Sequence, residues 1–245
     1  MRCLFRAIAV FILACTLPSA FGGPQAYVHT PIVEYGEREI DVHGGRQEQG
    51  DGTRASGLAT GFGMGLTPWW FTEAYGIAEW SSGEPVQLTS IEWENVFQLT
   101  ETGRRAAELG LLFEVERPRD LAEGYELVYG PLVQTDVGRV QLNGNLLIQR
   151  HVRASTPSDT VLQYEWQAKF RWREALEPGL QGFGEMGQWN RWEHADLQSH
   201  VIGPAVFGKL RLGGHQALRY DAAFLVGISP AAPDRTLRLR VEYEY

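Results

Sequence analysis

The chain has 245 residues, of which 30 are acidic, 22 are basic and 44% are apolar. This composition excludes a disordered chain and a collagen-like fibre, and the lack of a long apolar run after residue 22 excludes a helical membrane protein. The acidic excess argues against nucleic acid as a partner, because that affinity depends on neutralising phosphates.

The start of the chain is typical of a secretory signal peptide. Arg2 and Arg6 precede the apolar stretch from Ala7 to Leu17, and Ala20 and Gly22 then occupy the two positions before the cut that must be small. We therefore expect export and cleavage after Gly22, so that residues 1–22 form the signal peptide.

Both cysteines lie within this predicted signal peptide. A lipoprotein box at Ile12 to Cys15 is a less favoured alternative, because the large Leu13 beside Ala14 fits such a box poorly. Once Cys3 and Cys15 are removed, the exported chain contains no disulfide, so core burial or a lipid environment must stabilise the fold.

From residue 37 onward the apolar residues recur with a period of two, which predicts β-strands rather than helices. The clearest run begins at Leu162, where every second residue is apolar and the intervening residues are polar. The sequence thus predicts an all-β fold of about twelve strands. These strands are expected at residues 37–45, 55–66, 69–80, 91–99, 107–116, 125–134, 140–149, 162–173, 179–189, 200–212, 218–228 and 236–245.

The links between the predicted strands alternate in length. Tight links are expected at Thr67-Pro68, near Gly103, near Asp136, around Pro178 and at Gly213-Gly214, and the intervening links are longer and more polar. This alternation is typical of an antiparallel up-and-down meander, with short turns at one end and longer loops at the other.

Two all-β architectures compete, a soluble sandwich and a membrane barrel. Several strands alternate for about nine residues or more, which is enough to cross a bilayer with tilt, whereas sandwich strands need only about five or six. Trp and Tyr also gather near the strand ends, as expected for membrane interfaces. The candidate interface aromatics are Trp69, Trp70, Trp172, Tyr243 and Tyr245 at the periplasmic end and Trp80, Trp189 and Trp192 at the outer end.

The end of the chain carries the sharpest signal. Leu237 to Tyr245 alternates apolar and polar residues and finishes on an aromatic. It resembles the terminal strand that the barrel assembly machinery of Gram-negative bacteria recognises, so we expect that machinery and outer-membrane lipid as partners. The sequence therefore predicts one transmembrane β-barrel over residues 37–245 in the bacterial outer membrane.

An apolar outer face places the polar side chains in the lumen. The predicted lumen charges carry both signs, and we expect arginines to neutralise carboxylates there, in preference to a cation-selecting acidic ring. The residues of this lumen charge cluster are Glu37, Glu39, Asp41, Glu92, Glu94, Lys169, Arg171, Arg219, Asp221, Arg238, Arg240 and Glu242.

Residues 23–36 precede the first strand. We assign them to a periplasmic N-terminal arm, although the sequence does not separate this position from a small plug folded into the barrel. Glycines at alternate positions of the second strand, among them Gly57 and Gly65, face the lumen or let another segment approach closely.

No motif indicates catalysis or metal binding. Gly61 to Gly65 lacks the helix and the Lys-Ser/Thr pair of a phosphate-binding loop. A rim-active lipid-modifying hydrolase would need a serine and a histidine on one face, and only His151 with Ser155, or His200, offers a start. The histidines show no metal-ligand spacing. We expect no enzyme activity, no metal and no cofactor.

The stretch Tyr27-Val-His-Thr-Pro31, followed by Gly36-Glu-Arg-Glu-Ile40, resembles the opening of a porin-like family of uncharacterised proteobacterial outer-membrane barrels. The turn Gly65-Leu-Thr-Pro-Trp69 is loosely similar to barrels encoded with aromatic-degradation pathways. These resemblances imply an outer-membrane location and supply no catalytic residue or ligand.

The expected function is a narrow pore or facilitator for a small polar solute. Two alternatives remain open at this point, a non-conducting barrel with a structural or partner-docking role and, less favoured, the rim-active hydrolase. The sequence leaves the solute and the oligomeric state undetermined.

Overall fold

The computed structural model describes residues 23–245, and the predicted signal peptide lies outside the described residues. Twelve antiparallel strands follow one another around a closed barrel, which confirms the predicted fold class. None of the described residues forms a helix long and apolar enough to cross a membrane. The strands are β1 (Arg38–Glu48), β2 (Arg54–Thr67), β3 (Trp70–Ser81), β4 (Leu88–Gln98), β5 (Glu108–Pro118), β6 (Tyr125–Val137), β7 (Val140–Val152), β8 (Val161–Phe170), β9 (Glu177–Gln188), β10 (Ser199–Gly213), β11 (Gln216–Gly227) and β12 (Arg235–Glu244).

The barrel closes by pairing its first strand with its last. Along this seam Glu39 lies opposite Glu244 and Val42 lies opposite Val241. After β12, the Tyr245 N–H donates to the carbonyl of Arg38 at 2.9 Å. The closed sheet leaves no edge strand, and full closure is what allows β-strands to satisfy their backbone groups in lipid.

The two faces of the barrel invert the pattern of a water-soluble β-protein. On β8, Gln163 and Glu165 point inward and are 0% and 1% exposed, whereas Trp166 between its polar neighbours points outward. On β11, the outward-facing Phe224 is 46% exposed. The inner wall is therefore mainly polar, apart from some apolar patches, and the outer wall is apolar, as expected for strands that contact hydrocarbon.

The connections follow the predicted alternation, with two corrections. Residues 68–69, 138–139 and 214–215 form two-residue turns, but the links predicted as tight near Gly103 and Pro178 span residues 99–107 and 171–176. The predicted strand through Trp172 ends at Phe170, because the Trp172 N–H folds back to bond the Phe170 carbonyl at 2.8 Å. We call the end with the two-residue turns the turn end of the barrel. At the opposite end, the loop end, the loops include 153–160 and 189–198.

Residues 24–36, which we call the lumen segment, lie inside the barrel. At the loop end of the barrel, Gln25 Nε2 donates to Glu79 Oε1 at 2.5 Å. At the turn end, the Val33 N–H donates to Gln98 Oε1 at 2.7 Å. The segment thus runs through much of the barrel's height, and the predicted periplasmic arm is corrected to a plug whose polar backbone is bound by wall side chains.

Apolar and small residues of the wall make room for this segment. A Cβ atom on Gly110 would lie 2.8 Å from Pro31 Cβ, so only glycine fits the wall at that point without displacement. Val33 packs into an apolar patch on the inner faces of β4 to β7. That patch consists of Val96, Leu112, Val128, Leu132 and Leu147.

Candidate functional site

In the part of the lumen segment nearer the loop end, Tyr27 makes the main contacts with the wall. The Tyr27 hydroxyl donates to Glu94 Oε2 and lies 3.3 Å from the hydroxyl of Tyr75. The guanidinium of Arg240 lies 4.0 Å from the centre of the Tyr27 ring, a cation–π contact. Tyr27 therefore joins β3, β4 and β12 across the lumen.

Two residues further along the segment, His29 makes a second set of contacts. Its backbone N–H and its Nδ1 lie 3.0 and 2.6 Å from Glu165 Oε1 on β8. Its Nε2 faces β4 and β5, at 3.4 Å from Glu94 Oε2 and 3.1 Å from Glu114 Oε1. Asn145 Nδ2 on β7 donates to the His29 carbonyl at 3.1 Å. At this level His29 and the wall residues that bind it occupy much of the lumen.

The arginines at the seam bring together many of the predicted lumen charges. Arg240 pairs with Asp41 across the join of β1 and β12. Arg219 on β11 lies 3.7 Å from Glu37 and 3.6 Å from Glu242. These contacts form an arginine–carboxylate network at the turn end of the barrel.

Other members of the predicted cluster lie apart from this network. Glu94 binds Tyr27 and faces His29 rather than an arginine. Arg238 stacks over the Phe183 ring at 4.0 Å, and its Nε and Nη1 atoms are buried without a hydrogen-bond partner among residues 23–245. Lys169 lies over Phe207, at 4.7 Å from the ring centre.

The remaining predicted charges are spread along the inner wall and the turns. Glu39 is buried on β1, and Glu92 is half-buried on β4. Asp221 accepts a hydrogen bond from Gln181 Nε2 at 3.5 Å. Arg171 lies in the 171–176 turn, where its Nε is 3.4 Å from Asp136 Oδ1.

A polar cavity of about 370 Å³ lies beside the lumen segment at the turn end of the barrel. Side chains of both charge signs line it, together with Thr30 and Glu34 of the segment. In the 171–176 turn next to this cavity, hydrogen bonds from the Arg211 guanidinium hold the pKa of the Glu174 carboxyl below its usual range. The wall side chains that bring charge to the cavity include Lys169, Arg219, Arg240, Asp221 and Glu242.

The predicted interface aromatics occupy both ends of the barrel. Near the turn end, Trp69 stacks on Trp70 with ring centres 6.5 Å apart, and Tyr243 stacks on Tyr245 at 5.7 Å. This end also holds Trp172, in the 171–176 turn. Near the loop end lie Trp80 on β3 and, in the 189–198 loop, Trp189 and Trp192.

The histidines named as hydrolase candidates have other partners. His200 Nδ1 lies 2.9 Å from the Tyr164 hydroxyl, and its Nε2 lies 2.9 Å from Gln198 Oε1. His151 Nε2 lies 3.3 Å from Glu126 Oε2, while the Ser155 hydroxyl donates to a backbone carbonyl. The His200 backbone N–H donates to the Ser229 hydroxyl at 2.9 Å, but in none of these contacts within residues 23–245 does a serine hydroxyl bond to an imidazole.

The sequence analysis missed the residues at the centre of the lumen. Tyr27 and His29 lie in a segment without strand periodicity, and their partners Glu114 and Glu165 come from distant strands. A signal for an inserted segment is nevertheless present. On the inward face of β7, Leu147 lies between the polar residues Asn145 and Gln149. Such an apolar residue in a polar lumen needs an apolar partner.

No family model matches the chain, and no curated protein sequence matches it. Solved structures do. The NanC porin aligns over 84% of this chain and 98% of its own, with 9% identity and a TM-score of 0.56. The COG4313 outer membrane channel from Pseudomonas putida F1 aligns over 91% of this chain and 98% of its own, with 11% identity and a TM-score of 0.54. At this identity the likeness shows the fold alone: this chain forms the same kind of closed antiparallel β-barrel as these two outer-membrane proteins.

Proposed function

We propose that this protein is an outer-membrane channel for small polar solutes, and that the lumen segment narrows its path. The observation that carries the proposal is the polar cavity of about 370 Å³ between the segment and the wall. A volume of this size holds roughly a dozen water molecules or one small solute, since water occupies about 30 Å³ in the liquid. Its lining of both signs suits solutes that carry charge or many hydroxyl groups.

The lumen segment sets how wide such a path is. Around Tyr27 and His29 the segment contacts β3, β4, β5, β7, β8 and β12, so little space remains beside it. Barrel diameter grows with strand number, and about eight strands already enclose an interior that side chains just fill, so a twelve-stranded barrel leaves a wider path when no segment is inserted. The width of the path therefore depends on whether the segment stays in place.

Conductance in planar lipid bilayers tests this proposal. We expect small current steps from the full mature chain and larger steps from a variant lacking residues 24–33. A variant lacking residues 156–158 serves as control and should match the full chain, because these three residues are exposed and lie outside the strands and the lumen segment. Liposome swelling with sugars and amino acids of increasing size would then measure the solute limit of each protein.

The second candidate is a sealed barrel with a structural or docking role. The specific observation in its favour is the arginine–carboxylate network, in which Arg240 and Arg219 bind carboxylates near the seam and occupy part of the lumen at the turn end. If neither the full chain nor the variant lacking residues 24–33 conducts at any salt concentration or voltage, the channel proposal is wrong. The sealed barrel is then the better description.

A further inference from the structure

The imidazole of His29 is oriented so that Nε2, once it carries no proton, can offer its lone pair to a ligand. Glu165 Oε1 lies 2.6 Å from Nδ1, and a carboxylate can only accept, so Nδ1 carries the hydrogen of this bond. Asn145 Nδ2 donates to the same oxygen at 2.5 Å and keeps the carboxylate in position. The neutral imidazole therefore presents its lone pair at Nε2.

Nε2 points between two carboxylates without completing a hydrogen bond. It lies 3.4 Å from Glu94 Oε2 and 3.1 Å from Glu114 Oε1. His29 is only 8% exposed, and Nε2 is buried without a hydrogen-bond partner among residues 23–245. Buried polar atoms are almost always bonded, so this atom indicates a missing partner.

The spacing of the three atoms matches a metal coordination sphere. Zinc binds imidazole nitrogen and carboxylate oxygen at about 2.0–2.2 Å, and tetrahedral geometry then separates neighbouring ligand atoms by about 3.3–3.6 Å. The ligand atoms of His29, Glu94 and Glu114 all lie within 4.8 Å of one another, and the two distances from Nε2 are close to the tetrahedral value.

The charge balance also favours a cation at this position. Glu94, Glu114 and Glu165 surround one imidazole, and all are buried. The nearby guanidinium of Arg240 is engaged by Asp41 and by the Tyr27 ring. Buried carboxylates need a compensating positive charge, and a divalent cation supplies more of it than a protonated imidazole does.

We infer that His29, Glu94 and Glu114 form a binding site for a divalent transition-metal ion of the zinc class. Glu165 acts as the carboxylate that orients the histidine, an arrangement common at zinc sites. The Tyr27 hydroxyl supports Glu94 from the other side. Because His29 belongs to the lumen segment and the two glutamates to β4 and β5, the ion would fasten the segment to the wall.

Zinc titration of the purified, detergent-solubilised barrel tests this inference. We expect one Zn²⁺ per chain by isothermal calorimetry, with His29→Gln weakening the affinity by at least about 100-fold. The control is His200→Gln, which changes a half-buried histidine that contacts Tyr164 and Gln198 and none of the proposed ligands, and its affinity should stay within about twofold of the original. Cobalt in place of zinc should give the visible absorption bands of a tetrahedral site, and these should vanish in His29→Gln.

Glu114→Gln provides a second variant if the histidine change prevents folding, and circular dichroism verifies the barrel in each protein. The inference is wrong if the unsubstituted chain shows no saturable zinc binding, or if His200→Gln loses affinity as much as His29→Gln does. It is also wrong if Ca²⁺ binds more tightly than Zn²⁺ and His29→Gln leaves that binding unchanged, since imidazole is then not a ligand. None of these measurements involves conductance, so they test the metal site independently of the channel proposal.

Discussion

The contact between Pro31 and Gly110 gives a direct test of where the lumen segment lies. In Gly110→Ala the new Cβ would be 2.8 Å from Pro31 Cβ and 3.1 Å from the Phe97 carbonyl oxygen. Carbon atoms pack best at about 3.5–4.0 Å, so the segment or β5 must move by about 0.7 Å or more. Overpacking of this kind costs about 1–3 kcal/mol.

The segment cannot shift freely to relieve this contact. On one side of Pro31, the Thr30 hydroxyl donates to Gln134 Oε1 at 3.1 Å. On the other side, Val33 is held by Gln98 and by its apolar patch. We therefore expect most of the overpacking cost to appear as lost stability in Gly110→Ala, measured by guanidinium unfolding in detergent.

The matched control is Gly144→Ala on the outer face of β7, where nothing lies within 4 Å of the new Cβ. This substitution should leave stability unchanged or raise it slightly, because alanine loses less chain entropy than glycine on folding. If Gly110→Ala is as stable as Gly144→Ala, the lumen segment does not pack against β5 and the description of the plug is refuted.

Three further substitutions test other parts of the barrel, each by the free energy of unfolding in detergent. Val33→Ala should cost about 2 kcal/mol, since it opens a cavity in the apolar patch, and a neutral result would place Val33 outside it. Arg240→Gln should cost about 3–5 kcal/mol by leaving Asp41 buried without its cation, and adding Asp41→Asn should restore part of that loss. Leu146→Arg, at the middle of β7 on the outer face, should cost about 2–4 kcal/mol. Val137→Arg, at the end of β6, should cost only about 0–1 kcal/mol. Equal costs for the two substitutions would contradict the membrane orientation.

The barrel itself was predictable because strand alternation is a local property. From Leu162 to Phe170 the polarity of each residue indicates the face of the strand on which it lies. The strands of a meander are also neighbours in chain order. The strand end at Phe170 was not predictable, because the alternation continues through Trp172 while the backbone turns back on itself. Periodicity identifies a face, and it does not identify where hydrogen bonding to the neighbouring strand stops.

The lumen segment could not be placed from the sequence for a different reason. Its contacts join residues far apart in the chain, as between Tyr27 and Glu94 or between His29 and Glu165. No period or motif relates such pairs, and each glutamate alone is indistinguishable from any other lumen charge. The grouping of Arg240 with Asp41 was predictable because barrel closure alone brings β12 beside β1.

The position of the lumen segment also constrains the order in which the chain assembles. Tyr27 touches β12 through Arg240, and His29 touches β8 through Glu165, yet both precede β1 in the chain. The Tyr27 contact cannot form before β12 is in place. The segment therefore completes its packing only in the last stage of barrel closure, when β12 is added.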